Sequence, residues 1–171
     1  MARLAFPEIP DADRLAALAL RAVVGPVMAY HGYLKLDGGA GSFADNVAQI
    51  EILGMALPRF TGYVVIAIEL IGGLCLLAGF LTRIWAALLA TQMLLIPFAV
   101  KSDLGLIAPQ GAGGTGFEID LLIAACAVAL VLMGPGALAL DGLLGVEGGA
   151  PAGDARARPA QRVTEQRVAG H

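Results

Sequence analysis

Charge is scarce in this 171-residue chain: only 15% of its residues are Asp, Glu, Lys or Arg. Soluble domains carry roughly 25%, and a mean hydropathy of +0.78 leaves too little polar surface to coat one. A soluble fold is excluded. Cysteine is scarce as well. Cys75 and Cys126 each stand alone in an apolar run without C-x-x-C spacing, so a thioredoxin-type pair and a zinc knuckle are both unavailable. They read as buried thiols at different depths, and no disulfide between them is expected. The two histidines are His31 in the first apolar run and His171 at the last position, so no haem-type pair is evident, and no metal site is expected. A net charge of -3 supplies no basic face, so no nucleic-acid partner is expected.

Two further signals fail on context. Glu8, Asp11 and Asp13 make a poor positive flank for a signal peptide, and the run Leu15 to Leu36 is too long for one. That run reads as a retained helix. Gly111 to Gly116 matches G-x-G-x-x-G, but a dinucleotide fingerprint needs a strand before it and a soluble βαβ unit around it. Here a membrane helix precedes it, and Glu118 and Asp120 stand where a pyrophosphate would sit.

What the chain does have is long apolar runs. About 20 such residues cross a bilayer, and four segments qualify: Arg14–Leu36, Phe60–Leu81, Ile84–Lys101 and Phe117–Leu140. They predict an all-α membrane protein, a four-transmembrane-helix bundle. The expected divisions are an N-terminal segment 1–13, a membrane domain 14–141 and a disordered tail 142–171 whose arginines meet anionic lipid. With the N-terminus inside, Arg3, Arg14, Arg83 and the tail's Arg156, Arg158, Arg162 and Arg167 lie on the inner side. Lys35, Arg59 and Lys101 lie on the outer. That asymmetry predicts both termini in the cytoplasm of a bacterial inner membrane. Between the first two spans, Phe43, Val47 and Ile50 recur at helical spacing after Ser42, predicting a short outer amphipathic helix on the membrane surface with Ser42 as its N-cap.

Ionisable residues inside a span each need a physical reason. Arg21, Gly25, Met28, Gly32 and Lys35 form one stripe of the first helix. Gly62, Ile66, Glu69, Gly73, Leu76 and Arg83 form a similar stripe on the second. Small residues mark close contact between membrane helices, so both stripes are expected to face the bundle interior. Depths of roughly 10 Å for Arg21 and 18 Å for Glu69 predict a buried Arg21–Glu69 ion pair. In the competing arrangement Arg21 reaches back to the inner surface and a protonated Glu69 bonds to Gln92 or a backbone carbonyl. Pro26 and Pro97 free the carbonyls of Ala22 and Met93, which produces a kink or a polar contact. At the outer mouth His31, Lys35, Glu118 and Asp120 gather near one level. That set is compatible with a proton relay, or simply with carboxylates complementing a helix N-terminus.

Arg21, then His31-Gly32-x-x-Lys35-Leu36, Glu69 to Gly73, Leu76 to Arg83, Phe117-Glu118-x-Asp120-Leu121, Gly134 to Gly136 and Leu140-Asp141 follow one another in order. Together they resemble the DoxX family of small bacterial membrane proteins, from about Arg21 to Asp141. The resemblance implies a four-helix membrane bundle and an association with quinol- or thiosulfate-linked oxidation and redox-stress complexes. The tail falls outside the family pattern.

Three functions fit these residues. The leading one is the membrane subunit of an oxidoreductase, shaping a quinone site from Arg21, His31, Lys35, Glu69 and Gln92. The chain has no cofactor ligands of its own and is not expected to be catalytic alone, so a partner protein supplies the redox centre. The second is a noncatalytic scaffold that recruits partners to the membrane, its buried charges specifying helix packing. The third is a small-molecule or proton transporter, which has the buried charges but lacks an internal repeat.

Overall fold

Four long helices organise the chain, because in lipid a helix satisfies every backbone polar group within one segment. A computed structural model describes residues 9–52, 54–111 and 114–146. In chain order the elements are α1 (Ala12–Asp37), α2 (Ala40–Val47), β1 (Glu51–Ile52), β2 (Met55–Ala56), α3 (Phe60–Ala78), α4 (Thr82–Ala99), a 3-10 turn (Ser102–Leu104), α5 (Glu118–Met133) and α6 (Leu140–Leu144). The two strands pair antiparallel, Glu51 with Ala56 and Ile52 with Met55. This small hairpin departs from the all-helical expectation.

Among the described residues, α1, α3 and α4 are long and apolar enough to cross a membrane. The fourth predicted span, Phe117–Leu140, yields a shorter helix, α5, which ends at Met133. Pro135 explains the stop, since it disfavours helical geometry at the residue before it. Gly134, Gly136 and Leu138 then take positive φ, and the chain folds back to give α6.

The outer segment also corrects its prediction. Its helix starts at Ala40 with Gly39 at the cap position, and no side chain caps it, so Ser42 is not the N-cap. Ala44 and Val47 are buried, and the Cα of Ala44 sits where a methyl group on Gly62 would fall. The apolar face of α2 is therefore spent on α3 rather than on lipid.

α1 pairs most extensively with α3, and α4 with α5. The glycine stripes are the reason for the first pairing. A methyl group at Gly25 would come within 2.8 Å of the Leu77 backbone nitrogen, and one at Gly32 would fall onto the Leu70 backbone. Only glycine admits that approach. The α4–α5 seam is built from Ala86, Leu89, Ala90 and Met93 against Ala124, Ala127 and Leu130, all buried. Phe98, Leu132 and Leu74 point outward, forming the apolar exterior that lipid covers. Cys75 and Cys126 are free thiols. The expected N-terminal segment 1–13 and the tail 142–171 lie mostly outside the described residues.

Candidate ligand site

Glu69 is the centre of the polar interior. It projects from α3 and is 2% exposed, so its carboxylate must be paired to remain charged. It is paired twice. Lys35, from the last turn of α1, bonds Oε2, and Gln92 of α4 donates from Nε2 to Oε1 at 2.6 Å. Lys35 Nζ also lies 5.5 Å from the centroid of the Phe43 ring on α2.

The expected Arg21–Glu69 ion pair does not form. Register is the reason. With Gly32 against Leu70 and Gly25 against Leu77, Glu69 faces the level of position 33 on α1. Lys35 is two residues from that level, about 3 Å along the axis, whereas Arg21 is twelve away, about 18 Å. The competing arrangement was half right, for Gln92 does bond Glu69, beside an ion pair with Lys35.

Arg21 serves the opposite end of the bundle. Fully buried, it donates from Nη2 to the Ala137 carbonyl at 2.6 Å. A methyl group at Gly79 would overlap its guanidinium. Gly79, at φ 71, closes α3: its N–H bonds Leu76 O and the Phe80 N–H bonds Cys75 O. These two bonds make a Schellman turn. Next to it Asp141 caps α4, accepting the Leu81 N–H at 2.7 Å, the Thr82 N–H at 3.0 Å and the Thr82 hydroxyl at 2.9 Å. Sequence reasoning left Asp141 without a role. The signal available was a lone acidic residue following a family block.

A cavity of about 800 Å³ opens at the α2 end. Its walls are apolar: Met28 from α1, Val47 from α2, Val65 from α3, Ile96 from α4 and Ile123 from α5 are among them. Of the predicted site residues it gathers His31, Lys35, Glu69, Gln92 and Asp120. Arg21 and Glu118 are not among its lining residues. Glu118 is half-buried, with no bonding partner for Oε2 among the described residues. Asp120 is held by Lys101 at 2.6 Å, and Lys101 also reaches the Gly116 carbonyl at 3.4 Å. Lys101 is the site residue that sequence reasoning missed. It entered only as an outer-side charge, although a carboxylate as deep as Asp120 requires a cation. Among the described residues no group of three or more His, Cys, Asp or Glu could hold a metal ion.

The arrangement can hold a neutral, mostly apolar molecule with a few polar atoms at one end. Two ion pairs and an amide supply the polar end, and the cavity falls within the range of small-molecule sites.

Known proteins resemble this chain. The family model described as DoxX matches residues 16–102. The blocks from Phe117 onward lie outside that match. The chain is 34% identical over 128 residues to "Putative oxidoreductase CatD" of Bacillus subtilis (strain 168), covering 74% of this chain and 85% of that protein. It is also 34% identical over 113 residues to "Inner membrane protein YqjF" of Escherichia coli (strain K12), covering 66% of this chain and 79% of that one. No solved structure matches the chain at a significant level.

Proposed function

The chain belongs to the DoxX family of membrane proteins, and from that premise we propose that it is the membrane subunit of a redox assembly with a quinone site in the α2-end cavity. The observation that carries this reading is the cavity itself: apolar walls from α1 to α5 closing on the Lys35–Glu69–Gln92 cluster. The residues fit the ligand class. A quinone has an apolar body and two oxygens that accept hydrogen bonds, and ammonium and amide donors reach the cavity while nonpolar side chains form its sides. When bound, the quinone supplies two-electron carrier chemistry. This chain's part is to hold the ring, position Lys35 through Glu69, and exclude bulk water. A partner protein delivers the electrons, in keeping with a relative named as an oxidoreductase.

The bundle has four crossings in this reading. At 16 residues α5 spans about 24 Å, and such a helix crosses a bilayer that thins around it. In the orientation that the sequence's charges favour, the α2 end faces outward: Lys35, Arg59 and Lys101 flank that side, against Arg3, Arg14, Arg83, Arg156, Arg158, Arg162 and Arg167 in the flanks of the other. Both termini are then cytoplasmic, in a bacterial inner membrane.

Extraction in lipid-preserving polymer, followed by mass spectrometry of the bound organic fraction, tests the reading. Wild-type protein is expected to retain about one quinone per chain. Val65→Phe, which fills the cavity from α3, is expected to lose it while remaining folded. Equal quinone content in both proteins, at the level of bulk lipid, would refute the site.

A further inference from the structure

The two ion pairs of the cavity are built the same way. In each, the lysine side chain is the accessible partner and the carboxylate sits behind it. Lys35 is 24% exposed against 3% for Glu69, and Lys101 is 22% exposed against 10% for Asp120. Both Glu69 oxygens are already occupied, by Lys35 and Gln92. Lys35 uses one of its three N–H donors on Glu69, and Lys101 uses two, on Asp120 and Gly116. A molecule in the cavity therefore meets ammonium hydrogens from two separate elements, the last turn of α1 and the segment just after α4. It meets little of the negative charge that balances them.

We propose that Lys35 and Lys101 form a two-point clamp that recognises the carbonyl oxygens of a neutral quinone, and that Glu69 and Asp120 hold each lysine and aim it. This rests on the quinone reading above and names the residues that select the ligand. Neutrality follows from the charge balance: two cations and two anions line the polar end, so an added ionic head would be left uncompensated in an apolar enclosure. Selection for oxygen follows from the unused N–H donors, because a ligand without acceptors would displace water from them and return nothing. Among the described residues, His31, exposed on the same wall, is the remaining titratable group lining the cavity.

The test compares ligands before it compares proteins. Protein in nanodiscs is titrated with a short-tailed 1,4-benzoquinone, with the same ring and tail lacking the carbonyl oxygens, and with a fatty acid of equal length. The quinone is expected to bind at least about tenfold more tightly than the hydrocarbon, the loss of one charge-assisted hydrogen bond. It is also expected to bind more tightly than the fatty acid. Two charge-neutral pairs, Lys35→Gln with Glu69→Gln and Lys101→Gln with Asp120→Asn, are each expected to shrink the quinone advantage about tenfold without abolishing hydrocarbon binding. Retained hydrocarbon binding shows that the altered cavity is still formed. Equal affinities for quinone and hydrocarbon in the wild type, or an advantage untouched in both double variants, overturns the clamp and leaves the cavity as a quinone site. Preference for the fatty acid overturns the carbonyl assignment. Failure of the quinone to bind at all overturns the site, and the clamp with it.

Discussion

Lys35, in the last turn of α1, pairs with Glu69, in the middle of α3, and this contact joins the α2 end of the bundle to its interior. Its partners are unequal in burial, so removing one is not equivalent to removing the other. Lys35→Met strands a 2%-exposed carboxylate and is expected to destabilise by about 3 kcal/mol, the scale for a buried charge losing its partner. Glu69→Gln strands a lysine that can still reach water and is expected to cost less. The double variant is expected to recover part of the loss. Thermal melts in one detergent, arranged as a double-mutant cycle, measure the coupling; additive single effects would mean no interaction.

The α1–α3 approach is set by glycine. Gly32→Ala drives a methyl group into the Leu70 backbone, which has no flexible end to yield. Overpacking of this kind is expected to cost about 1–3 kcal/mol or more and to lower folded yield. Gly142→Ala is the matched control, because open space surrounds Gly142 and its φ is not in the left-handed region. A melting temperature for Gly32→Ala equal to that of the control would contradict the packing.

At the other end, Asp141→Ala removes three hydrogen bonds from the start of α4. Leu81 takes φ 49 there, a left-handed conformation costly for a leucine. Loss of an N-cap alone costs about 1 kcal/mol, and burial of the two orphaned Thr82 donors is expected to raise this to about 2–4 kcal/mol. Asp141→Asn keeps an acceptor and is expected to fall between. Hydrogen exchange at Leu81 and Thr82 reads the effect directly.

The exposed pair between Arg59 and Asp45, at 2.5 Å, behaves differently. The hydrogen bond to Asp45 raises the Arg59 guanidinium above its ordinary range. A raised group contributes in full below its unfolded-state pKa and loses the contribution only as pH rises through the folded one. That window lies above any working pH on the arginine side. Asp45→Asn is therefore expected to leave the melting temperature nearly unchanged from neutral to mildly alkaline pH, and high salt to erase any difference. A salt-resistant loss would show that the pair pins α2.

The stripes were legible because helical period and small-residue spacing are local properties. Gly25, Met28, Gly32, Ile66, Glu69 and Gly73 are all buried as read. Which cation would reach Glu69 was not legible, since that depends on how far α1 slides along α3. The slide is fixed only by where glycines meet backbone. The α5 boundary failed for a related reason: apolar composition continues to Leu140, while Gly134 and Pro135 end the helix at Met133. Lys101 and Asp120 lie 19 positions apart on different elements, and neither alone signals a site.

The central claim is that an oxygen-bearing ring occupies the cavity between Lys35, Glu69, Gln92 and Lys101. Photolabelling with an azido-benzoquinone in native membranes, followed by peptide mapping, tests it most directly. The account predicts label on peptides carrying cavity-wall residues such as Met28, Met93 and Ile123, competed away by unmodified benzoquinone. Label confined to the outward-facing Phe98 and Leu132, with no effect of competitor, would contradict it.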